Sequence, residues 1–156
     1  MLSANSVALQ PKTTANVDDD DFYNHHIFSI GGKSYLVPLM WKETATNATA
    51  LQPFSKFSHN LWYDVWDVSP MEVLNNPAAY PEDYKRITKA DMNYPIILYN
   101  GPMYFPASKE TAFLSHMILD GYHRLSRAQH DKINYITVTY ITEKQLANCE
   151  IDTDEF

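Results

Sequence analysis

The chain has 156 residues, of which 45% are hydrophobic and 13% aromatic, so its length and composition predict one globular domain with tails. The formal net charge of -7 opposes tight, non-specific nucleic-acid binding, which needs clustered positive charge. The single cysteine, Cys149, excludes an internal disulfide and a cysteine-based metal framework, and it fits a cytoplasmic protein.

The N-terminal residues carry no targeting or membrane signal. No apolar run of about 18 residues occurs, so we expect no membrane span. No basic segment followed by an apolar stretch opens the chain, so we expect no secretory signal. Residues 1–21 are polar, lack periodicity and end in the acidic run 18–21, which predicts a disordered acidic tail.

Residues 22–60 are predicted to form an N-terminal extension made of a hairpin and a loop. Two short apolar segments, 26–30 and 33–37, flank Gly31–Gly32. Glycine supplies the positive φ angles of a tight hairpin turn, so we expect the two segments to pair. Residues 42–60 are rich in Thr, Asn, Ala and Ser, which predicts a loop or a short irregular helix.

The next segment begins the main domain, which we expect over residues 61–148. Residues 61–68 are predicted as a strand because aromatic and β-branched residues recur in them. Ser69–Pro70 breaks that strand, and a helical turn is expected over 71–74. Residues 81–90 predict a helix, because a proline and two acids come first and basic residues follow, which suits the helix dipole.

The second half of the chain alternates predicted strands and helices. A buried strand over 95–99 is expected to end at the turn Asn100–Gly101–Pro102. The further expected elements are an insert at 108–114 with Ser108 as a candidate N-cap, a strand at 115–119, a helix at 123–132, a strand at 135–141, a short helix from Thr142 and an acidic tail at 149–156. The predicted fold class is α+β, with a small mixed sheet and flanking helices.

The most informative motif begins where the strand at 115–119 ends. Asp120 and Gly121 form the turn, and His123 and Arg124 open the following helix. The first N–H groups of a helix are unpaired and its dipole is positive at that end, so this position attracts anions. The arginine adds a planar donor fork that suits phosphate oxygens. The motif therefore predicts a site that binds phosphate, most readily the phosphate of a nucleotide.

This stretch resembles the ParB/sulfiredoxin superfamily. The resemblance rests on the strand Pro95–Tyr99, the box Asp-Gly-Tyr-His-Arg-Leu at 120–125 and the strand Ile136–Tyr140, with Val65–Leu74 similar to the family's first strand and turn. It covers roughly residues 62–146. It implies a nucleotide-binding domain whose Gly-x-(His or Arg)-Arg box holds phosphates at a helix start.

Two departures narrow the resemblance. Sulfiredoxins carry a reactive cysteine before the His-Arg pair, whereas this chain has Tyr122, whose phenol cannot do that thiol chemistry. Only 15 residues follow Ile141, so the helix-turn-helix domain of partition proteins is not expected. The box is nearest to the free-serine-kinase-like branch, in which acids serve phosphoryl transfer.

The resemblance and the residue chemistry together suggest roles. Phosphate-binding candidates are Gly121, Tyr122, His123, Arg124 and Arg127, and the catalytic candidates are Asp120, Glu72 and His123. Asp120 is also the metal candidate, as a Mg²⁺ ligand or as a base toward an acceptor hydroxyl. Five of these residues have a plainer interpretation: a turn glycine for Gly121, a structural histidine for His123, a surface ion pair for Arg124, a solvated charge for Arg127 and a turn or N-cap aspartate for Asp120.

The expected ligands are ATP or another nucleotide, such as CTP or ADP, with Mg²⁺. The phosphate acceptor would be a small molecule or a protein, and the oligomeric state stays open. The alternative function is a non-catalytic, nucleotide-responsive module that binds a protein or nucleic acid. Other chemistries have weaker support: His25 and His26 are adjacent rather than spaced for zinc, and His116 and His123 with Asp120 would make an incomplete metal set.

Overall fold

A computed structural model describes residues 27–152. The predicted tail 1–21, the pair His25–His26 and residues 153–156 lie outside this range. The described part is mixed α+β, which confirms the predicted α+β class, and it has five α-helices and two sheets in place of the small mixed sheet that was predicted. Within residues 27–152, no helix is long and apolar enough to cross a membrane.

The first sheet has three antiparallel strands in the order β1-β2-β7. They are β1 (Ile27–Ile30), β2 (Lys33–Leu36) and β7 (Glu150–Ile151). The hairpin predicted around Gly31–Gly32 is confirmed, because both glycines have positive φ angles, of 62° and 75°. The predicted C-terminal tail instead starts with the buried Cys149 and a strand that pairs with Ser34 and Tyr35.

The second sheet has four strands in the order β3-β6-β4-β5. They are β3 (Thr49–Pro53), β4 (Ile96–Phe105), β5 (Glu110–Asp120) and β6 (Tyr135–Ile141). The strand predicted at 135–141 is confirmed to the residue. The helices are α1 (Val37–Glu43), α2 (Pro70–Asn75), α3 (Pro81–Thr88), α4 (Tyr122–His130) and α5 (Glu143–Ala147), with 3₁₀ helices at Phe54–Lys56, Ser58–Trp62 and Pro77–Ala79.

The turn predicted at Asn100–Gly101–Pro102 is wrong, because β4 runs through it as a bulge. The side-chain Oδ1 of Asn100 accepts a hydrogen bond from the backbone N–H of His116 on β5. At Gly101, an added Cβ would lie 2.6 Å from the hydroxyl of Tyr99, so this glycine makes room for a side chain. The insert predicted at 108–114 is likewise mostly strand, because β5 begins at Glu110.

The strand predicted at 61–68 is also wrong, because a 3₁₀ helix ends at Trp62 and bends follow it. Alternation of aromatic and β-branched residues suits a strand, but Asp67 has a φ of 63° here and breaks any extended run. The segment 42–60, predicted as a loop or a short irregular helix, contains the end of α1, the whole of β3, the 3₁₀ helix Phe54–Lys56 and the start of the 3₁₀ helix Ser58–Trp62. Helices α2 and α3 confirm the predicted turn at 71–74 and most of the predicted helix 81–90.

The chain divides into two compact units. Within the described residues, the first unit contains 27–49, 97–120 and 139–152, and the second contains 50–96 and 121–138. Buried side chains of the first unit are Tyr35, Val37, Met40, Trp41, Ile97, Leu98, Tyr99, Met103, Ile118, Leu119, Ile141, Leu146 and Cys149. Those of the second are Phe57, Leu61, Val73, Ile87, Tyr94, Ile96, Leu125, Ala128, Ile136 and Val138.

Helix α4 is the centre of the second unit. It contacts α2, α3 and the 3₁₀ helix at Ser58–Trp62, and Leu125 and Ala128 supply its fully buried face. Residues three and four apart share a helix face, so burial of these positions leaves His123, Arg124 and Arg127 half-buried beside that face. The apolar face thus holds α4 in place, and its polar residues lie along the border of the core.

Candidate functional site

The N-terminus of α4 is the predicted phosphate site. Gly121 is the N-cap residue, with φ 122° and ψ 17°, and no side chain caps the helix. A backbone hydrogen bond of the helix runs from the N–H of Leu125 to the carbonyl of Gly121, at 2.9 Å. The first turn contains no acidic residue and does contain His123 and Arg124. Cations are unfavourable at a helix N-terminus, so the composition of this first turn is not the one that helix stability alone favours.

Gly121 has a structural reason to be glycine. Its φ of 122° is one that side chains other than glycine rarely adopt, and an added Cβ would lie 2.8 Å from Cγ1 and 3.0 Å from Cγ2 of Ile96. The buried Ile96 therefore packs against this Cα. The glycine fits the close approach of a neighbouring side chain, which is the plain turn interpretation, and it does not by itself argue for a phosphate.

The imidazole of His123 stacks on the indole of Trp66. The ring centroids are 4.4 Å apart and the ring planes are inclined by 12°. The Nε2 atom of His123 is shielded from solvent. Because Asp67 turns the chain with a positive φ directly after Trp66, a tight loop presents the indole to the first turn of α4. The stack fixes the plane of the imidazole.

Arg124 and Tyr122 lie in the same first turn, and both are half-buried. Burial raises the pKa of Tyr94, and Asp91 adds to the rise while the nearby guanidinium of Arg124 opposes it. Arg124 therefore lies within electrostatic range of the Tyr94 phenol. Burial also raises the pKa of Tyr122, so its phenol stays protonated at neutral pH and can donate a hydrogen bond.

Arg127 lies one turn further along α4, with its guanidinium in internal contacts. Its Nε donates to the Asp131 carboxylate at 3.1 Å, and its Nη1 donates to the carbonyl of Ala90 at 2.5 Å. These bonds use two of the five N–H donors of the guanidinium and fix its position. The structure therefore supplies an ion-pair role for Arg127, which is the plainer of its two interpretations.

Asp120 is the last residue of β5 and belongs to the first unit. Its Oδ2 accepts a hydrogen bond of 3.0 Å from Nε1 of the buried Trp41 in α1. The indole donor orients the carboxylate, a contact that the sequence did not predict.

Glu72 is exposed in the first turn of α2, in the second unit. The N-cap residue Ser69 accepts a hydrogen bond from its backbone N–H at 3.1 Å. An acid in the first turn is favourable to the helix dipole, so Glu72 has a structural role whatever its chemical one. The residues described contain no group of three or more His, Cys, Asp or Glu side chains that could hold a metal ion.

This donor set fits Mg²⁺ only if protein and substrate both supply ligands to the ion. Mg²⁺ commonly keeps several waters and takes one or two carboxylates together with substrate phosphates, and Asp120 supplies one carboxylate. The complete protein cages of structural metal sites need more ligands. The residues therefore fit a nucleotide-borne Mg²⁺ better than a resident ion.

Two contacts of the candidate residues escaped sequence reasoning. Trp66 and Trp41 were visible only as aromatic residues, and their partners are 57 and 79 positions away along the chain. No spacing rule joins residues that far apart.

No protein-family model matches the chain, and neither a curated protein nor a solved structure matches it.

Proposed function

We propose that the second unit binds the phosphates of a nucleoside di- or triphosphate at the N-terminus of α4. The observation that carries the proposal is the composition of the first turn, with His123 and Arg124 present and no acid. An anion placed there would interact favourably with the helix dipole and with both side chains. Natural sequences break local rules of this kind mainly at functional sites.

The roles follow from the chemistry of each group. Arg124 binds phosphate oxygens through two parallel N–H groups, and the first-turn amides donate along the helix axis. His123 donates to a phosphate oxygen from a ring whose plane Trp66 fixes. The phenol of Tyr122 supplies a further donor. Gly121, which lacks a Cβ, lets the backbone at the start of the helix pack against Ile96.

We propose that the reaction is transfer of the terminal phosphoryl group to a small-molecule or protein hydroxyl, or to water. The bond between the terminal phosphorus and the bridging oxygen breaks, and the shortened nucleotide leaves with that oxygen. A bond forms between the phosphorus and the acceptor oxygen, and the acceptor proton passes to a carboxylate. Asp120, oriented by Trp41, is the first candidate for that carboxylate, and Glu72 is the second. Bound Mg²⁺ would supply charge neutralisation to the phosphates, with ATP, CTP or ADP as the candidate nucleotides.

The same proposal includes the finer fold assignment and the location. We assign residues 61–148 to the ParB/sulfiredoxin type, nearest to the free-serine-kinase-like branch, with a cytoplasmic location. Tyr122 in place of the sulfiredoxin cysteine directs the chemistry to phosphate rather than to sulfur. The order of β5, α4 and β6 along the chain supports the assignment, whereas residues 65–74 contain a helix and no strand where the family has its first strand.

A non-catalytic, nucleotide-responsive binding module is the second candidate. It is favoured by three large aromatic side chains of the second unit that are more than half exposed, namely Trp62, Tyr63 and Tyr135. Exposed aromatic rings are common anchors for protein and single-stranded nucleic-acid partners. In this function, bound nucleotide would change partner affinity and would not be turned over.

A thermal-shift titration with ATP, CTP and ADP, each with and without Mg²⁺, tests the site. Ligand binding to the folded state alone raises the melting temperature by mass action. The matched pair of variants is Arg124→Gln and Arg86→Gln, the latter an exposed arginine on α3 that lies 4.0 Å from Asp83. We expect R124Q to abolish the shift and R86Q to retain it. Equal shifts in both variants contradict the site.

An assay of phosphate release and phosphate transfer then separates the two functions. For the enzyme, Asp120→Asn binds nucleotide and loses phosphate release or transfer. If wild-type protein binds nucleotide and neither releases nor transfers phosphate, the binding module is correct.

A further inference from the structure

A four-residue hydrogen-bond chain joins the C-terminal end of α4 to α3 in the second unit. The hydroxyl of Tyr84 lies 3.0 Å from Nε2 of His130, and Nδ1 of His130 lies 2.7 Å from Oδ1 of Asp131. The other oxygen of Asp131 accepts from Nε of Arg127 at 3.1 Å. These residues are outside the first turn of α4, and the proposed phosphate chemistry does not use the Tyr84 and His130 contact.

The protonation states along this chain follow from its chemistry. Hydrogen bonds from His130 and then from Arg127 hold the pKa of Asp131 below its usual range, so its carboxylate only accepts at neutral pH. Nδ1 of His130 must therefore donate to it. In a neutral imidazole the other nitrogen then accepts, so Nε2 accepts the proton of the Tyr84 hydroxyl.

Contacts on both ring nitrogens orient the imidazole of His130, the last residue of α4. Asp131 lies against Nδ1, and Arg127 fixes that carboxylate through its second oxygen. The side chains of His130 and Asp131 are 38% and 35% exposed, so a small molecule can reach them.

We propose that Tyr84, His130 and Asp131 form a second reactive site, in which the Tyr84 oxygen is a nucleophile toward activated carboxylic esters. A nucleophile within hydrogen-bond distance of a base, with a third group orienting the base, is the arrangement of covalent acyl-transfer catalysis. Tyr84 and His130 contact the reacting atoms, and Asp131 and Arg127 are positioning residues.

The step balances without a further reactant except water. The Tyr84 oxygen bonds to the acyl carbon while its proton passes to Nε2 of His130. The bond from the acyl carbon to the leaving oxygen breaks, and the proton passes from Nε2 to the leaving group or, when the leaving group stays ionised, to solvent, so that Nε2 is neutral again. Water then attacks the tyrosyl ester and gives its proton to Nε2, which returns it to the Tyr84 oxygen as the acid leaves.

Acetylation by 4-nitrophenyl acetate tests the site on the full chain without nucleotide. Peptide mass spectrometry should find acetyl on Tyr84 ahead of every other tyrosine, including Tyr80, the residue that precedes α3. Tyr84→Phe should lose the labelled peptide, and His130→Gln should slow Tyr84 acetylation by at least about tenfold, the low side of general-base effects. Tyr80→Phe is the matched control and should label Tyr84 at the wild-type rate.

The pH profile separates a base from a merely structural contact. With His130 as base, acetylation of Tyr84 rises as the imidazole becomes neutral, and in H130Q it follows only ionisation of the phenol. Tyr84 labelling at the wild-type rate in H130Q overturns the proposal. Labelling of Tyr80 as fast as Tyr84 in the wild-type chain, a comparison that needs no variant, also overturns it.

Discussion

The imidazole of His123 lies parallel to the indole of Trp66, with ring centroids 4.4 Å apart and a 12° angle between the planes. This stack joins a tight loop to the first turn of α4 within the second unit. It fixes one of the three first-turn side chains with which we propose the unit binds phosphate. The contact therefore affects both the stability of the unit and its proposed ligand site.

Trp66→Ala should lower the free energy of unfolding by about 2 kcal/mol, because it removes an aromatic stack and part of a buried surface. Trp62→Ala is the control, since Trp62 is 65% exposed and its loss should change the free energy by no more than about 0.5 kcal/mol. Urea unfolding of both variants measures the difference. Equal losses in the two variants would show that the stack contributes nothing specific.

Gly121→Ala should destabilise the chain by about 2 kcal/mol or more, because a φ of 122° is strained for alanine and the new Cβ would contact Ile96 at 2.8 Å. Gly32→Ala is a milder test, since its φ is 75° and the nearest atom, Cγ of Pro106, is 3.3 Å away. Gly32→Ala should lower the free energy of unfolding by about 1 kcal/mol. If G32A is as destabilising as G121A, the contact with Ile96 is not what requires the glycine.

Asp131→Asn should reduce stability at neutral pH and have a shrinking effect in acid. The pKa of Asp131 is lowered in the folded chain by its bonds to His130 and Arg127. A lowered folded pKa gives stability that is fully present above the unfolded value of about 3.9 and is lost as pH falls through the folded value. Urea midpoints of wild type and D131N should therefore differ at pH 7 and converge as the pH falls below the unfolded value of about 3.9 and through the folded value. A constant gap between them would contradict the ion-pair account.

Cys149 should resist thiol reagents while the chain is folded. Burial, with a further contribution from Glu43, raises the pKa of its thiol to about 12, and Sγ lies 3.3 Å from the carbonyl of Gln145. The reactive species is the thiolate, so iodoacetamide at pH 8 should label the thiol slowly in buffer and quickly in urea. Because the chain has one cysteine, the readout is unambiguous, and rapid labelling in buffer would contradict the burial of this side chain.

The elements that sequence reasoning placed well have strong local signals. The glycine pair marks the first hairpin, and the β-branched residues over 135–141 mark a strand. Thr142 marks the start of α5, where its side chain and that of Gln145 form a reciprocal capping box. In each case, residues close together in the chain determine the local structure.

The elements that it misplaced depend on tertiary contacts. The pair Asn100–Gly101 has the composition of a turn, and only the N–H of His116 on the opposite strand makes it a bulge. The site shows the same division: Gly121, His123 and Arg124 were predicted from one motif, whereas Trp66 and Trp41 are joined to their partners by folding alone.

The most direct test of the phosphate site is an amide NMR titration of the chain with inorganic pyrophosphate. We predict that the backbone amides of Tyr122, His123 and Arg124 shift most and saturate together, and that these shifts vanish in Arg124→Gln. Saturating shifts confined to amides outside the first turn of α4, or no saturation with pyrophosphate or with ATP and Mg²⁺, would contradict the central claim.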